Sequence, residues 1–571
     1  MAVITLTFGL GTRDLERMAS IEACKVRAEG QGKPGFKRMV LFPKLVFLED
    51  KRIHGPRKIA RDVYKAAIEC SAKAMYPDWL SLEPGSYVGD IYQKYGKVVS
   101  PMGCRAFLSP WFKRGGMEPA DDKDEPVFIG RFNLGVISLN LPMILAKAQQ
   151  ENKDFYEVLD YYMEMSRGLH KRTYEYLAEM RASTNPLMYC QGGFYGGHLK
   201  PNDKIRPILK PCTLSFGFTA LNELQELYNN KSLVEDGAFA LEVMEYINKK
   251  ITEYKKADGL LYAIYGTPAE SLCFSGDTEV QCYNGNKQIK DIKVGDLVYS
   301  YNEEQKKIEL KPVIRSMMTQ KDAEVVKVTF DNGQSVVCTP NHPFATRHME
   351  QNIKYINASK LKIGTSVVAN KFYDNIHIES DSKVLSVEKL EQTINVYDIE
   401  VEDNHNFYVG GNEGLLVHNC GTQLRQFRAK YGIIPKVSDR EYFTNSFHCH
   451  VTEDITPTEK QDLEKRFWDL ANGGKIQYVR YRNEKNIKSF MTLIDRAMNM
   501  GFYEGVNMDK DYCGKCGHTG IDFKDGKCPV CGSDDVVEVN RVCGYLGYSK
   551  VHGKSRMNAA KMNEVKDRKS M

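Results

Sequence analysis

Apolar and polar positions follow two rhythms along this chain, and the change from one to the other divides it. The run Val40-Leu41-Phe42-Pro43-Lys44-Leu45-Val46-Phe47 predicts a buried strand, and residues 58–76 then place apolar side chains at helical spacing. Gly135-Val136-Ile137-Ser138-Leu139-Asn140-Leu141 predicts a second buried strand, while 151–180 and 220–254 predict long helices. Strands separated by long helices imply an α/β architecture with a largely parallel sheet or barrel. Between Glu324 and Thr339 the period falls to two: valines alternate with polar residues around Asp331-Asn332-Gly333, a hairpin signal within a compact β segment. The sequence contains no internal repeat and no low-complexity stretch.

The chemistry at the two ends of that β segment is distinctive. A segment that excises itself needs a nucleophile at its first residue and another just after its last, and Cys273 and Cys420 supply two thiols. Asn419, preceded by His418, can release its own carbonyl by side-chain attack to give a succinimide. Thr339-Pro340-Asn341-His342 offers a hydroxyl and an imidazole to polarise the amide that Cys273 attacks. Val396-Tyr397-Asp398-Ile399-Glu400-Val401 and His405-Asn406-Phe407 complete the set. The bland alternative is an ordinary β-domain insertion with structural cysteines and histidines.

These blocks, in this order, resemble an intein of the Hint fold. The resemblance implies that Cys273 forms the first thioester with the Leu272 carbonyl, helped by Thr339 and His342, and that Cys420 takes the acyl group. It implies that Asp398 and His405 assist, that Asn419 cyclises with help from His418 and His405, and that an S-to-N shift leaves a Leu272–Cys420 peptide bond. The implied insert is 273–419, with flanking parts 1–272 and 420–571. About fifty residues separate the TxxH and YDIEV blocks, too few for a second compact domain, so a mini-intein without a homing endonuclease is expected.

Joining the flanks leaves 424 of 571 residues, enough for one large domain or two. The net charge of +5 implies neither nucleic-acid nor membrane binding. The start has no basic region followed by an apolar run, and no stretch reaches membrane-spanning length, so a soluble cytoplasmic protein is expected, in the host cytoplasm if phage-encoded. Fifteen cysteines in such a chain suggest thiols, metal ligands or catalysis rather than disulfides. Cys513, Cys516, Cys528 and Cys531 form two CxxC knuckles whose four thiolates suit a structural tetrahedral Zn²⁺ in a ribbon over 513–531, with redox or iron–sulfur use as the alternatives.

Beyond the ribbon comes Arg541-Val542-Cys543-Gly544-Tyr545-Leu546-Gly547. Alone, that glycine reads as a tight-turn residue. Together with Met102-Gly103-Cys104-Arg105, Gly130-Arg131-Phe132-Asn133, Tyr265-Gly266-Thr267-Pro268-Ala269-Glu270-Ser271 and Thr444-Asn445-Ser446-Phe447-His448, it resembles the anaerobic (class III) ribonucleoside-triphosphate reductases, most of all their T-even phage branch. The resemblance implies a glycyl-radical-enzyme ten-stranded α/β barrel, here partial, with the all-β Hint domain inserted. It implies radical storage on Gly544 in the loop 541–547, a thiyl radical on Cys104 that takes the 3′-hydrogen of a ribonucleoside triphosphate, and Asn133 on the ribose hydroxyls. Thr267-Pro268-Ala269-Glu270-Ser271 has the composition of a loop opening a helix, either an ordinary helix start or one whose backbone N–H groups cradle a triphosphate at Thr267, Ala269, Glu270 and Ser271. The insert follows this loop directly, so the unspliced precursor is expected to lack the substrate site.

The resemblance further implies a radical-SAM activase with S-adenosylmethionine and a 4Fe-4S cluster, formate as reductant, and a homodimer. The opening residues resemble an internal barrel segment, which implies a separately encoded N-terminal fragment or a truncated frame; a second active-site cysteine of some relatives has no counterpart. Competing readings are a glycyl-radical lyase or acyltransferase, and a chain in which only splicing is live.

Overall fold

Eight strands of the flanking chain follow one another in a single order. Thr5–Phe8, Lys44–Glu49 and Asp78–Ser81 run parallel. Asp78–Ser81 meets Tyr503–Asn507 antiparallel, and Tyr503–Asn507 is parallel to Gln477–Arg480, completing a five-stranded sheet. Asn133–Asn140, Thr213–Thr219 and Leu261–Gly266 form a second, all-parallel sheet of three. Gly474, just ahead of Gln477–Arg480, bridges in parallel to Tyr265, with the Gly266 N–H donating to the Gly474 carbonyl at 2.9 Å. Three strands therefore run one way and five the other. The computed structural model describes residues 4–569 except 34–35, 104, 268–273, 276, 304, 341, 348–352, 374–375, 393, 405, 412, 419–422, 441, 482–485, 509, 521–522, 524–525, 543, 552–553 and 556–558.

The predicted elements form with shifts that local chemistry explains. The strand in 40–47 begins at Lys44, after Pro43, which has no N–H to give a ladder. The helix in 151–180 spans Phe155–Ala178 because Asp154 caps it, accepting from the N–H groups of Tyr156 and Glu157. The single helix expected over 220–254 is instead two, Leu221–Asn229 and Ala238–Asp258. Asn230 (φ 61°) ends the first and Gly237 (φ 111°) opens the second, both left-handed positions suited to those residues. One core unites both sheets and these helices, drawing Leu214, Phe216 and Phe218 against Leu159, Met163, Ile247 and Ile251.

The insert builds a separate core from Val280, Val298, Val328, Phe330, Phe344, Val367, Phe407 and Leu415, among other residues. Fourteen strands join in one folded sheet, and no α-helix occurs among its described residues. The predicted hairpin pairs Val326–Phe330 with Ser335–Cys338. Its loop is four residues long, closed by Phe330 N–H to the Gln334 carbonyl at 2.9 Å, with Gly333 at φ 80°. Near the C-terminus, Lys510–Cys513, Thr519–Gly520, Val536–Arg541, Leu546–Val551 and Lys554–Ser555 form an antiparallel sheet.

Candidate active site and splicing centre

The strand Thr213–Thr219 organises the flanking protein's candidate site. Its sequence, Thr-Leu-Ser-Phe-Gly-Phe-Thr, alternates strictly, and every residue is buried. Leu214, Phe216 and Phe218 face the core, and the polar face meets Ser109 and then residues of three motifs in turn. Thr213 Oγ1 accepts from the Ser109 N–H at 3.1 Å, beyond the Met102-Gly103-Cys104-Arg105 stretch. Ser215 Oγ accepts from Asn133 Nδ2 at 2.7 Å, while Asn133 Oδ1 accepts from the Gly135 N–H at 2.8 Å. Over Gly217, Ser138 Oγ and Thr267 Oγ1 lie 2.7 Å apart, and a Cβ at Gly217 would stand 2.3 Å from the Thr267 hydroxyl. Thr219 Oγ1 donates to the Thr444 carbonyl at 3.4 Å.

Two buried titratable groups back this face. His170 Nε2 contacts the Ser215 carbonyl at 3.1 Å, and burial pushes the imidazole down to about 4, so it is neutral at pH 7. Burial raises the Glu223 carboxyl; its Oε1 accepts from Thr444 Oγ1 at 2.6 Å and from the Thr444 N–H at 3.1 Å.

A segment absent from the sequence reading, Gly473-Gly474-Lys475, closes this assembly. Phe107 N–H donates to the Gly473 carbonyl at 2.9 Å and Lys475 N–H to the Arg105 carbonyl at 3.0 Å, while Gly473 N–H donates to the Ile264 carbonyl at 2.7 Å. The glycines are required by space: a Cβ on Gly474 would stand 2.0 Å from the Tyr265 ring, and one on Gly266 1.8 Å from Ser446 Oγ. Arg105, 1% exposed, donates from Nη1 to the Gly266 carbonyl at 3.1 Å and from Nη2 to the Tyr478 hydroxyl at 3.3 Å. Cys104, Ala269, Glu270 and Ser271 lie outside the described residues. Their neighbours Arg105, Gly266 and Thr267 are already assembled with 444–446 and 473–475 while the insert is present.

Gly544 is buried in the turn between Val536–Arg541 and Leu546–Val551, closed by Val542 N–H to the Tyr545 carbonyl at 3.0 Å. Arg541 anchors this turn: Nη2 pairs with Asp78 Oδ1 at 2.7 Å, both side chains fully buried, and Nε donates to the Val506 carbonyl at 3.0 Å. Its guanidinium also lies 5.5 Å from the Tyr478 ring centroid. Tyr478 thus touches both Arg541 on the Gly544 turn and Arg105 beside position 104.

The four ribbon cysteines converge. Their Sγ atoms lie within 4.8 Å of one another, with Cys513–Cys531 at 3.6 Å and Cys516–Cys528 at 3.5 Å. Zn–S bonds of about 2.3 Å place tetrahedral sulfurs about 3.8 Å apart, so the donor set and its spacing suit zinc. Both knuckles fold alike. Gly517 (φ 76°) and Gly532 (φ 69°) follow the second cysteine, and each donates its N–H to the first cysteine's carbonyl, at 3.0 and 2.9 Å. Stripping the metal with a strong chelator is expected to lower the Tm of the spliced protein, and Cys528→Ser to cut bound zinc below about one per chain by metal analysis.

In the insert, Phe274 pairs with Cys338 on one side and with Tyr397 on the other, both antiparallel. Thr339, just past the end of Ser335–Cys338, and Asp398, the next residue along Ile394–Val401, are both buried. His342 is fully buried; its N–H donates to the Thr339 carbonyl at 3.0 Å, and its carbonyl accepts from the Ala358 N–H at 2.8 Å. His418 ends the strand Glu413–His418 and pairs with Asn406. Asn406 is held on both sides by Tyr301, accepting from its N–H at 2.8 Å and donating to its carbonyl at 2.9 Å, which fixes the segment after His405. Cys273, His405, Asn419, Cys420 and the side chain of His418 lie outside the described residues. Burial lifts the Cys338 thiol far above its ordinary value, so that cysteine is an inert neighbour.

An α/β strand assembly with a buried glycine turn and a thiolate cluster is thus interrupted by an all-β module with its own core. The family model for the anaerobic ribonucleoside-triphosphate reductase matches residues 2–278 and 343–571, and that for the Hint module matches 267–397. The chain belongs to the anaerobic ribonucleoside-triphosphate reductase family and carries an inserted Hint/intein domain. It is 25% identical to the reductase of Salmonella typhimurium, over 99% of this chain and 58% of that protein. It is also 25% identical to the reductase of Enterobacteria phage T4, over 99% of this chain and 67% of that protein, so identity does not single out a phage branch. The chain therefore spans little more than half the length of the Salmonella relative. A crystal structure of the Ssp DnaB mini-intein variant M86 aligns with 27% of this chain and 98% of that one, at 20% identity and a TM-score of 0.24. No described helix is long and apolar enough to cross a membrane.

Proposed function

We propose that this chain is a precursor that splices itself, and that the joined product reduces ribonucleoside triphosphates by glycyl and thiyl radical chemistry. The insert is 273–419, a mini-intein. Cys273 attacks the Leu272 carbonyl with Thr339 and His342 assisting, Cys420 takes over the acyl group with Asp398 and His405 assisting, and Asn419 cyclises beside His418. The placement of Thr339 and Asp398 directly after Cys338 and Tyr397, the two partners of Phe274, supports these roles.

In the product, Gly544 stores the radical, Cys104 abstracts the 3′-hydrogen of the ribose, Asn133 holds the ribose hydroxyls, and Thr267, Ala269, Glu270 and Ser271 take the triphosphate. The observation that carries this reading is the polar face of Thr213–Thr219, on which Asn133, Thr267 and Thr444 converge with Ser109, five residues past Cys104. Three parallel strands followed by five opposed ones suit the two opposed halves of a ten-stranded barrel. The reaction calls for a radical-SAM activase bearing a 4Fe-4S cluster, S-adenosylmethionine, and formate as reductant. A homodimer is supported by the exposed Tyr161, Met165, Leu169 and Tyr176, which recur at helical spacing on Phe155–Ala178.

Anaerobic incubation of the spliced protein with activase, S-adenosylmethionine, formate and a ribonucleoside triphosphate tests the reading. Deoxyribonucleotide should accumulate. Cys104→Ala should abolish product while leaving the Gly544 radical signal in place; product formation by Cys104→Ala would remove that cysteine from the mechanism.

A further inference from the structure

Lys44 is the single charge in the apolar run Val40–Phe47, and it is fully buried. Such a lysine needs a reason. Its ammonium pairs with Asp78 Oδ2 at 3.1 Å, and Asp78 also pairs with Arg541. It also donates a hydrogen bond to the main-chain carbonyl oxygen of Gly544, 500 residues further along the chain. Asp78 thus faces two cations, and their positive charge is buried with it. Ring faces offset it: Lys44 Nζ lies 5.1 Å from the Tyr503 centroid, and Arg541 lies 5.8 and 5.5 Å from those of Tyr76 and Tyr478. Tyr76 adds a second hold on the turn, its hydroxyl accepting from the Leu546 N–H at 3.1 Å.

We propose that Lys44 is a positioning residue for the radical, holding the Gly544 carbonyl in plane and drawing spin onto its oxygen. The inference rests on the reading of Gly544 as the storage site. Forming the radical removes one hydrogen atom, proton and electron together, from the Gly544 Cα. That hydrogen passes to the radical released when the activase's cluster reduces S-adenosylmethionine by one electron, so the backbone stays neutral. The unpaired electron is then shared between the Cα, the amide nitrogen as donor and the carbonyl as acceptor. An ammonium bonded to the carbonyl oxygen strengthens the acceptor half, which lowers spin density on the Cα and stabilises the radical.

The test uses spliced protein activated anaerobically and read by electron paramagnetic resonance. In Lys44→Met the doublet should persist with a wider α-hydrogen splitting and decay faster by about tenfold or more, the scale of one charge-assisted hydrogen bond. Asp78 keeps Arg541 as its partner in this variant, so the fold is expected to survive; Lys44→Arg, which keeps the cation, should retain the narrow splitting. Wild-type protein carrying ¹⁵N at the lysine side chains gives a reading independent of any variant's folding: a ¹⁵N coupling should appear in the electron–nuclear double resonance of the radical. A Lys44→Met doublet superimposable on wild type in splitting and decay, or no ¹⁵N coupling in wild type, overturns the proposal. No doublet in the wild type overturns the storage reading of Gly544 itself and takes this proposal with it, while leaving splicing untouched.

Discussion

Expression of Cys273→Ala/Asn419→Ala should yield only the 571-residue precursor, where wild type yields products of 424 and 147 residues. The effect is all-or-none because each substitution removes a bond-making atom rather than a stabilising contact. Alanine at 273 has no thiol to receive the Leu272 acyl group, and alanine at 419 has no side-chain amide nitrogen to attack its own carbonyl. His342→Ala should slow the first step instead of abolishing it, since a positioned acid or base contributes about 10²–10⁴-fold. Intact-mass measurement separates these outcomes, and an unprocessed wild-type chain would refute the intein assignment. The insert's separate core makes the assay clean, because substitutions in the splicing centre leave the core around Phe216 and Ile247 untouched.

Activated, spliced Gly544→Ala should show no electron paramagnetic resonance doublet where wild type shows one. A glycine radical has a single α-hydrogen, which splits the signal in two, and no side chain to twist the centre out of the plane that lets both neighbouring amides share the spin. A Cβ at this position adds both a steric twist and methyl hydrogens. The site is buried and anchored by the Arg541–Asp78 pair, and breaking that pair would cost about 3–5 kcal/mol. Gly544→Ala leaves the pair in place, so unchanged zinc content and Tm would show that loss of the doublet reports on the radical and not on folding. A doublet that survives in Gly544→Ala would assign storage elsewhere, and its absence from wild type would leave splicing as the chain's activity.

Much of this chemistry is legible along the chain because it is local. The CxxC-Gly repeats at 513–517 and 528–532 each close within one turn, and the glycine after the second cysteine supplies the left-handed backbone that turn needs. The alternation around Asp331-Asn332-Gly333 gives a hairpin for the same reason, although its four-residue loop depends on the Phe330–Gln334 bond. The strand Thr213–Thr219 carries a visible period-two signal, and that signal predicts a polar face. What it lacks is any sign that Ser109, Asn133, Thr267 and Thr444 are the residues that face meets.

The sequence by itself determined the two-part organisation, the alternation of strands and helices and the four thiolates, because each rests on spacing within one element or on chemistry at adjacent positions. Only the tertiary structure decided that Gly473-Gly474-Lys475 closes the site and that Lys44 lies on Gly544. These depend on the order of strands in the sheets. Contacts between residues hundreds of positions apart follow from which strands become neighbours, and hydrophobic periodicity fixes which face of a strand is buried but not what lies across from it.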